Sequence, residues 1–282
     1  MLPVVYPRVA FQAACECGRV DIVKAVLKGK KNVDIHRNRE AGFRAACANG
    51  HAELVTYLLT SPWKNPINVR TMDQEAFLAA CEDGHLGVVR VLLALQGDQR
   101  IQIIDSHSYR VTAFQYACSN GHLPVVQALL ALEGDRRIDG PRLETGFKDA
   151  CSYDEEGVVR AILALPEDRL AGVRCDAGFE KACRSGHTDV IRAILQSGRV
   201  GAQLVERAFR LAHFNRRWDS QNRVMREILS RPSPQAPAPA VIRELGLVPL
   251  RNEMTWTRRS LMVQFRKNRV DARRAAKRAR RD

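Results

Sequence analysis

The sequence lacks the features that place a protein in or across a membrane. It contains no run of about 18 apolar residues, the length that a membrane-spanning helix requires. Residues 1–10 lack the basic start and the apolar stretch of a secretory signal. We therefore expect a cytoplasmic or nuclear protein that does not bind membranes and is not secreted by a classical signal.

Common active-site motifs are also missing. The sequence has no glycine-rich phosphate loop, no Gly-x-Ser-x-Gly elbow and no His-Glu-x-x-His motif. The expected class is a non-enzymatic protein with no cofactor and no metal site.

What the sequence does contain is a nine-residue phrase, Phe-x-x-Ala-Cys-x-x-Gly-His, in six copies between Phe11 and His187. The first copy ends in Gly18-Arg19 and the fifth in Asp154-Glu155. The phenylalanines lie 32, 34, 37, 33 and 32 residues apart. A fixed period of this size indicates a stack of similar units, each of which contacts only its neighbours.

Each unit predicts two short helices. Phe77, Ala80 and Cys81 share one face of a first helix, and Gly84 ends it because glycine adopts the left-handed conformation without strain. In the fifth unit Asp154 takes the place of that glycine, and Asp is one of the few other residues that tolerates the conformation. A second helix follows, with apolar residues at i, i+1, i+4 and i+5.

The cysteines fit this arrangement better than a disulfide framework. Six of the eight occupy the same position of the repeat, where stacking would hold them apart as small buried residues, namely Cys15, Cys47, Cys81, Cys118, Cys151 and Cys183.

A Cys–His catalytic pair, such as Cys81 with His85 or Cys118 with His122, is a possible interpretation of the phrase. It is disfavoured because the pairing recurs four times, whereas catalysis needs one site. We instead expect core thiols and turn imidazoles that bond to local backbone. A structural zinc site is disfavoured because the thiols are a whole repeat apart.

A helix, a Gly-His turn, a second helix and a projecting loop at a period near 33 residues resemble the ankyrin repeat. The resemblance covers about residues 8 to 230. It departs from the family where the usual Thr-Pro-Leu-His opening is replaced, for example by Thr112-Ala113-Phe114-Gln115. The fold implied is an all-α ankyrin-repeat solenoid.

The resemblance also implies binding of a protein partner, through the hairpin tips and the exposed parts of the first helices on the concave face. Arg and Tyr are frequent anchors at such interfaces. The positions implied are Arg39, Arg44, Met72, Tyr109, Arg110, Tyr116, Lys148 and Tyr153. The partner itself is not identified by the sequence, and we expect the chain to act as a monomer.

The repeat pattern weakens after the sixth unit. Residues 208–229 resemble a seventh, terminal repeat with a lengthened turn, and 231–240 contain four of the twelve prolines. The domains predicted are an array over 1–230, a Pro/Ala linker over 231–240, and a basic, partly helical tail over 241–282.

The tail holds 13 Lys or Arg residues against 4 acids, and so contributes +9 of the net charge of +14. Two interpretations assign the tail a function, either nuclear targeting through an import carrier or binding to nucleic acid. In a third interpretation the tail is a solvated end with no dedicated partner. We favour nuclear targeting. The residues that would mediate it are Arg266, Lys267, Arg269, Arg273, Arg274, Lys277, Arg278, Arg280 and Arg281.

Overall fold

The structure is a computed structural model, and it describes residues 7–29, 33–97, 101, 112–207 and 227–228, with the backbone alone at Asp73. These residues form helices, and no β-strand occurs among them. The helices are, in chain order, α1 (Pro7–Glu16), α2 (Val20–Gly29), α3 (Arg37–Ala48), α4 (Ala52–Thr60), α5 (Thr71–Glu82), α6 (Leu86–Leu93), α7 (Ala113–Ser119), α8 (Leu123–Leu130), α9 (Gly140–Ser152), α10 (Glu156–Leu163), α11 (Glu167–Leu170), α12 (Cys175–Ser185) and α13 (Thr188–Gln196).

The chain divides into two compact units, Met1–Val173 and Arg174–Asp282. In the first unit, the first helices form one row in which α1, α3, α5, α7 and α9 each pack against the next. The second helices form a parallel row in the order α2, α4, α6, α8 and α10. This two-row stack is the arrangement that the repeat period predicts.

The first helices are held in their row by the Phe, Ala and Cys of each phrase. In α5, Phe77 is 2 % exposed, and both Ala80 and Cys81 are fully buried. The residue before each phenylalanine is small because it faces the previous repeat. A Cβ on Gly42, for example, would lie 2.7 Å from Cε1 of Phe11. At Gly42, close approach between the repeats therefore depends on the absence of a side chain.

The helix-ending turns adopt the predicted conformation. Gly84 has φ +76°, and Asp154 takes the same left-handed region with φ 68°. The second helices bury the predicted stripe, as in α6, where Val88, Val89 and Leu92 are fully buried.

The first repeat is less covered than the others. Ile22 on α2 is 37 % exposed, whereas its equivalents Leu54, Val88 and Val125 in the next three repeats are fully buried. Among the residues of α2, only Val23 is buried.

The second unit is described for residues 174–207 and 227–228. Helices α12 and α13 form the sixth helical pair, with Phe179, Ala182 and Cys183 fully buried. Arg192 on α13 donates to Glu227 Oε2 at 3.1 Å, and Ile228 is fully buried. The predicted seventh repeat otherwise lies outside the described residues, as do the linker and the tail.

Candidate interaction surface

The exposed residues of the first helices include three of the predicted contacts. Tyr116 on α7 is half-buried, Lys148 on α9 is exposed, and Tyr153 directly after α9 is 64 % exposed. Helices α7 and α9 lie side by side, and Gln115 Nε2 donates to Asp149 Oδ2 at 3.3 Å between them. The two tyrosines are therefore presented by adjacent first helices. We call Tyr116, Lys148 and Tyr153 the helix patch.

The hairpin tips of the second and third repeats have an unusual backbone. Asn38, Arg39 and Glu40 have φ values of 51°, 56° and 59°, and Met72 and Gln74 have 52° and 65°. Each non-glycine residue in this left-handed region costs roughly 1–2 kcal/mol. The neighbouring contacts must therefore hold the turn.

Glu40 supplies one of these contacts. Its carboxylate is 5 % exposed and lies 3.0 Å from Nδ1 of His36. Glu40 Oε1 also accepts the backbone N–H of Asn68 at 3.1 Å. Because Asn68 precedes the third repeat, this buried carboxylate ties one hairpin tip to the next.

Arg44, one of the predicted partner-binding residues, supplies another of these contacts. Its guanidinium donates to the carbonyls of Arg39 at 3.0 Å and Asn38 at 3.2 Å, and pairs with Glu75 of the next repeat. Its side chain is only 22 % exposed. Arg44 thus positions the tip. The tip side chains that face solvent include Arg39, which is exposed, and Met72, which is 42 % exposed.

Two predicted contacts, Tyr109 and Arg110, lie outside the described residues, as do all nine tail cations from Arg266 to Arg281. The structure therefore presents six of the eight predicted partner-binding side chains at least partly to solvent, namely Arg39, Arg44, Met72, Tyr116, Lys148 and Tyr153.

The histidines of the phrase act between repeats, whereas the sequence suggested bonding to local backbone. Nε2 of His51, His85 and His122 lies 2.8, 2.9 and 2.7 Å from the carbonyl oxygens of Glu16, Ala48 and Glu82, respectively. Each acceptor follows the cysteine of the preceding repeat by one position. The ring therefore fixes the register of neighbouring repeats.

The glycine of one repeat makes room for the histidine of the next. A Cβ on Gly84 would lie 2.5 Å from Nδ1 of His122, closer than real Cβ contacts allow. The glycine is thus required by space as well as by its φ angle. The sequence held a signal for this contact, because a glycine in one copy of the phrase is followed by a histidine in the next copy. An interpretation of each repeat by itself does not show it.

The fifth repeat replaces this histidine with Glu155. A Cβ on Gly121 would collide with its carboxylate, so the side chain occupies the position of the missing ring. Partial burial raises the pKa of Glu155, the charge of Asp154 raises it further, and His122 opposes the shift.

Two arginines after the second helices were missed by the sequence interpretation. Arg169 on α11 is 7 % exposed and donates to the carbonyls of Leu130 at 2.6 Å and Ile138 at 2.8 Å. Arg136, one repeat earlier, donates to the carbonyl of Leu93 at 2.9 Å. Both cap the end of the second helix in the preceding repeat. The shared pattern Leu-Ala-Leu-x-x-Asp-Arg was the available signal.

The six cysteines of the repeated phrase are packed as core residues. Burial raises the pKa of Cys15 to about 12, with a smaller contribution from Glu16. Burial likewise raises the pKa of Cys81 and Cys118. A thiolate nucleophile needs a lowered pKa. The Cys–His interpretation is further weakened because His85 and His122 use Nε2 on backbone carbonyls.

Within the described ranges, no group of three or more His, Cys, Asp or Glu side chains is placed to hold a metal ion. No helix of those ranges is long and apolar enough to cross a bilayer.

Comparisons with known proteins agree with this geometry. The family described as ankyrin repeats (3 copies) matches residues 43–139. A search of curated proteins gave no match. The crystal structure of the human ASB11 ankyrin repeat domain is similar, with a TM-score of 0.52 and 21 % sequence identity over 77 % of this chain and 96 % of that chain. At this identity the likeness concerns the fold. Together with the stacked helical pairs, these matches show that the chain contains ankyrin repeats and has the ankyrin-repeat fold.

Proposed function

We propose that the chain is a non-enzymatic scaffold that binds a protein partner through its hairpin tips and the helix patch, on the face expected to be concave. Ankyrin repeats are in general protein–protein interaction modules. The helix patch is the observation that supports the proposal most. Tyr116 on α7 and Tyr153 directly after α9 lie outside the core, although the core buries every phenylalanine of the phrase.

The chemistry of the patch favours a protein partner. Tyr153 offers a large apolar ring with a polar end, and such side chains contribute disproportionately to binding energy at interfaces. Its backbone N–H is bonded to the carbonyl of Asp149 at 3.1 Å. The ring is therefore held on a fixed element, which reduces the entropy that binding must remove.

The test is capture from nuclease-treated cell extract with the full chain and with a Tyr116→Ala/Lys148→Ala/Tyr153→Ala variant. Loss of each tyrosine should lower affinity about five- to thirtyfold, since truncation of an interface tyrosine costs roughly 1–2 kcal/mol. The captured proteins should therefore disappear from the variant.

A matched control is Thr56→Ala/Gln127→Ala/Arg160→Ala, because these exposed residues lie on second helices. Full capture by this control, with loss in the patch variant, is the expected result. Equal capture by both variants would reject the helix patch as the binding surface.

We further propose that the tail from 241 to 282 directs the protein to the nucleus. Its two basic clusters support this, because a run of Lys and Arg is the feature that import carriers recognise. Replacing Arg273, Arg274, Lys277 and Arg278 by Gln in the full chain should abolish nuclear accumulation of a fluorescent fusion.

The alternative is a nucleic-acid-associated protein that acts through the same tail. Binding to DNA would then weaken steeply with salt, because each phosphate contact releases counterions. If the tail variant stays nuclear but loses salt-dependent DNA binding, the alternative replaces nuclear targeting.

A further inference from the structure

The hairpin tips of the second and third repeats present cations beside an exposed apolar side chain. We name Arg37, Arg39, Arg70 and Met72 the tip surface. We propose that the tip surface binds an acidic protein segment that also carries an apolar side chain. The inference rests on the proposed function and specifies the chemistry of the partner.

The two tips are neighbours. The Asn68 backbone N–H donates to the Glu40 side chain and so links the two tips, and the ion pair between Arg44 and Glu75 joins the helices behind them. Arg70 follows Asn68 by two residues, and its N–H is bonded to the Asn68 side chain at 3.0 Å. Side chains from both tips can therefore contact one short segment.

The backbone of the tips is strained and held in place. The left-handed residues 38–40 are fixed by Arg44, which binds two successive carbonyls, and by Glu40, which bonds outside the turn. Strain of this kind persists only where the surroundings determine the conformation, and it is concentrated at functional sites. A preformed tip loses little entropy when a partner binds.

The described acids of the tips are directed inward or already bonded. Glu40 is buried against His36, Glu75 pairs with Arg44, and Asp34 Oδ1 accepts the N–H of His36 at 3.0 Å. The side chains of Arg37, Arg39 and Arg70 are exposed, and so is that of Asp34. Because Glu75 is paired with Arg44, the exposed described side chains of the tips carry more positive than negative charge.

This combination favours a protein segment over nucleic acid. A guanidinium binds a carboxylate through two parallel hydrogen bonds, and Met72 offers a flexible apolar contact. Single-stranded nucleic acid is recognised by stacking on aromatic rings, and none of the four residues of the tip surface is aromatic. A segment that combines Asp or Glu with a large apolar residue matches the exposed arginines and Met72 in charge and polarity.

The test selects peptides from a random linear library displayed on phage against the immobilised full-length chain. We expect enrichment of peptides that combine Asp or Glu with aliphatic or aromatic residues. A synthetic peptide from that pool should bind the Arg37→Gln/Arg39→Asn/Arg70→Gln variant at least about tenfold more weakly, which corresponds to roughly 1.4 kcal/mol. Asn is used at 39 because it tolerates the left-handed backbone.

The control variant is Arg19→Gln/Arg90→Gln/Arg160→Gln, which removes the same charge from other exposed positions and leaves the tail unchanged. It should bind the peptide like the parent chain, and Met72→Ser should weaken binding several-fold. Circular dichroism of each variant reports whether the helices are retained.

Several results would overturn the inference. Equal loss in the tip and control variants would mean that the peptide responds to net charge, to which the tail contributes. No enrichment, or peptides without acids, would also contradict it. If the selected peptides depend on Tyr116 and Tyr153 alone, the proposed function stands and the tip surface fails. If the tip variant instead loses binding to a DNA oligonucleotide, the tips bind nucleic acid.

Discussion

At the residue scale, neighbouring repeats are joined where the histidine of one phrase lies over the glycine of the phrase before it. The imidazole of His122 needs the space above Gly84 and reaches the carbonyl of Glu82 from there. The Gly-His pair of the motif is therefore a contact between two repeats as much as a turn within one.

Replacing Gly84 by Ala tests this contact. The new methyl group would be strained at φ +76° and would displace His122 from its hydrogen bond. Gly134→Ala is the matched control, because Gly134 has φ +65° but no atom within 4 Å of the added Cβ. In urea denaturation, Gly84→Ala should lower the free energy of unfolding by about 1 kcal/mol more than Gly134→Ala. Equal losses would mean that only the backbone angle matters.

Glu155 provides a pH test at the same position of the fifth repeat. Its pKa is raised in the folded protein, mainly by burial, so folding favours the protonated carboxyl. This contribution is present below the pKa of the unfolded chain and is lost as pH rises through the folded pKa.

The Glu155→Gln variant should therefore gain stability relative to the parent as pH rises. The difference in urea midpoint should be larger at about pH 7 than at about pH 4, near the ordinary carboxyl pKa. A difference that is constant with pH, or that shrinks toward neutral pH, would show that the carboxyl is not destabilised by ionisation.

At the element scale, the ends of the second helices are capped by arginines from the following repeat. The buried guanidinium of Arg169 satisfies carbonyls of Leu130 and Ile138 that would otherwise lie unbonded inside the stack. Its burial makes the contact more valuable than an exposed ion pair.

Arg169→Ala should destabilise the protein by about 2–3 kcal/mol, since it leaves two carbonyls without a charged donor. Arg160→Ala serves for comparison, because Arg160 is exposed and pairs with Glu156 one turn away on the same helix. That change should stay within about 0.5 kcal/mol. Thermal unfolding of both variants measures the difference, and similar losses would contradict a capping role for Arg169.

Much of each element could be predicted from one repeat. The burial of Phe77, Ala80 and Cys81 follows from helical spacing, and the left-handed Asp154 follows from its alignment with glycine. These features depend on local periodicity and backbone sterics, which a short stretch of sequence contains.

The features that were not predicted depend on two repeats at once. The role of Arg44 follows from Glu75 and from a backbone turn in its own hairpin, neither of which its helical position indicates. The bond from Glu40 to Asn68 similarly joins residues 28 positions apart. Helical spacing indicates which residues lie outside the core. It does not indicate which of those residues bond to a neighbouring repeat.

At the scale of the whole molecule, the residues that we propose for binding are not the side chains that build the stack. The residues of the repeated phrase and the arginine caps hold the stack together. The exposed Tyr153, Arg39 and Met72 contribute little to packing. We therefore expect variants at Tyr153, Arg39 or Met72 to lose partner binding without losing stability.

The most direct test of that claim places a photo-crosslinking phenylalanine analogue at Tyr153 of the full chain, and in a second protein at Thr56 on the exposed side of α4. After irradiation in nuclease-treated extract, we expect discrete protein adducts from position 153 that are absent from position 56. Adducts of equal yield at both positions, or none at 153, would contradict it.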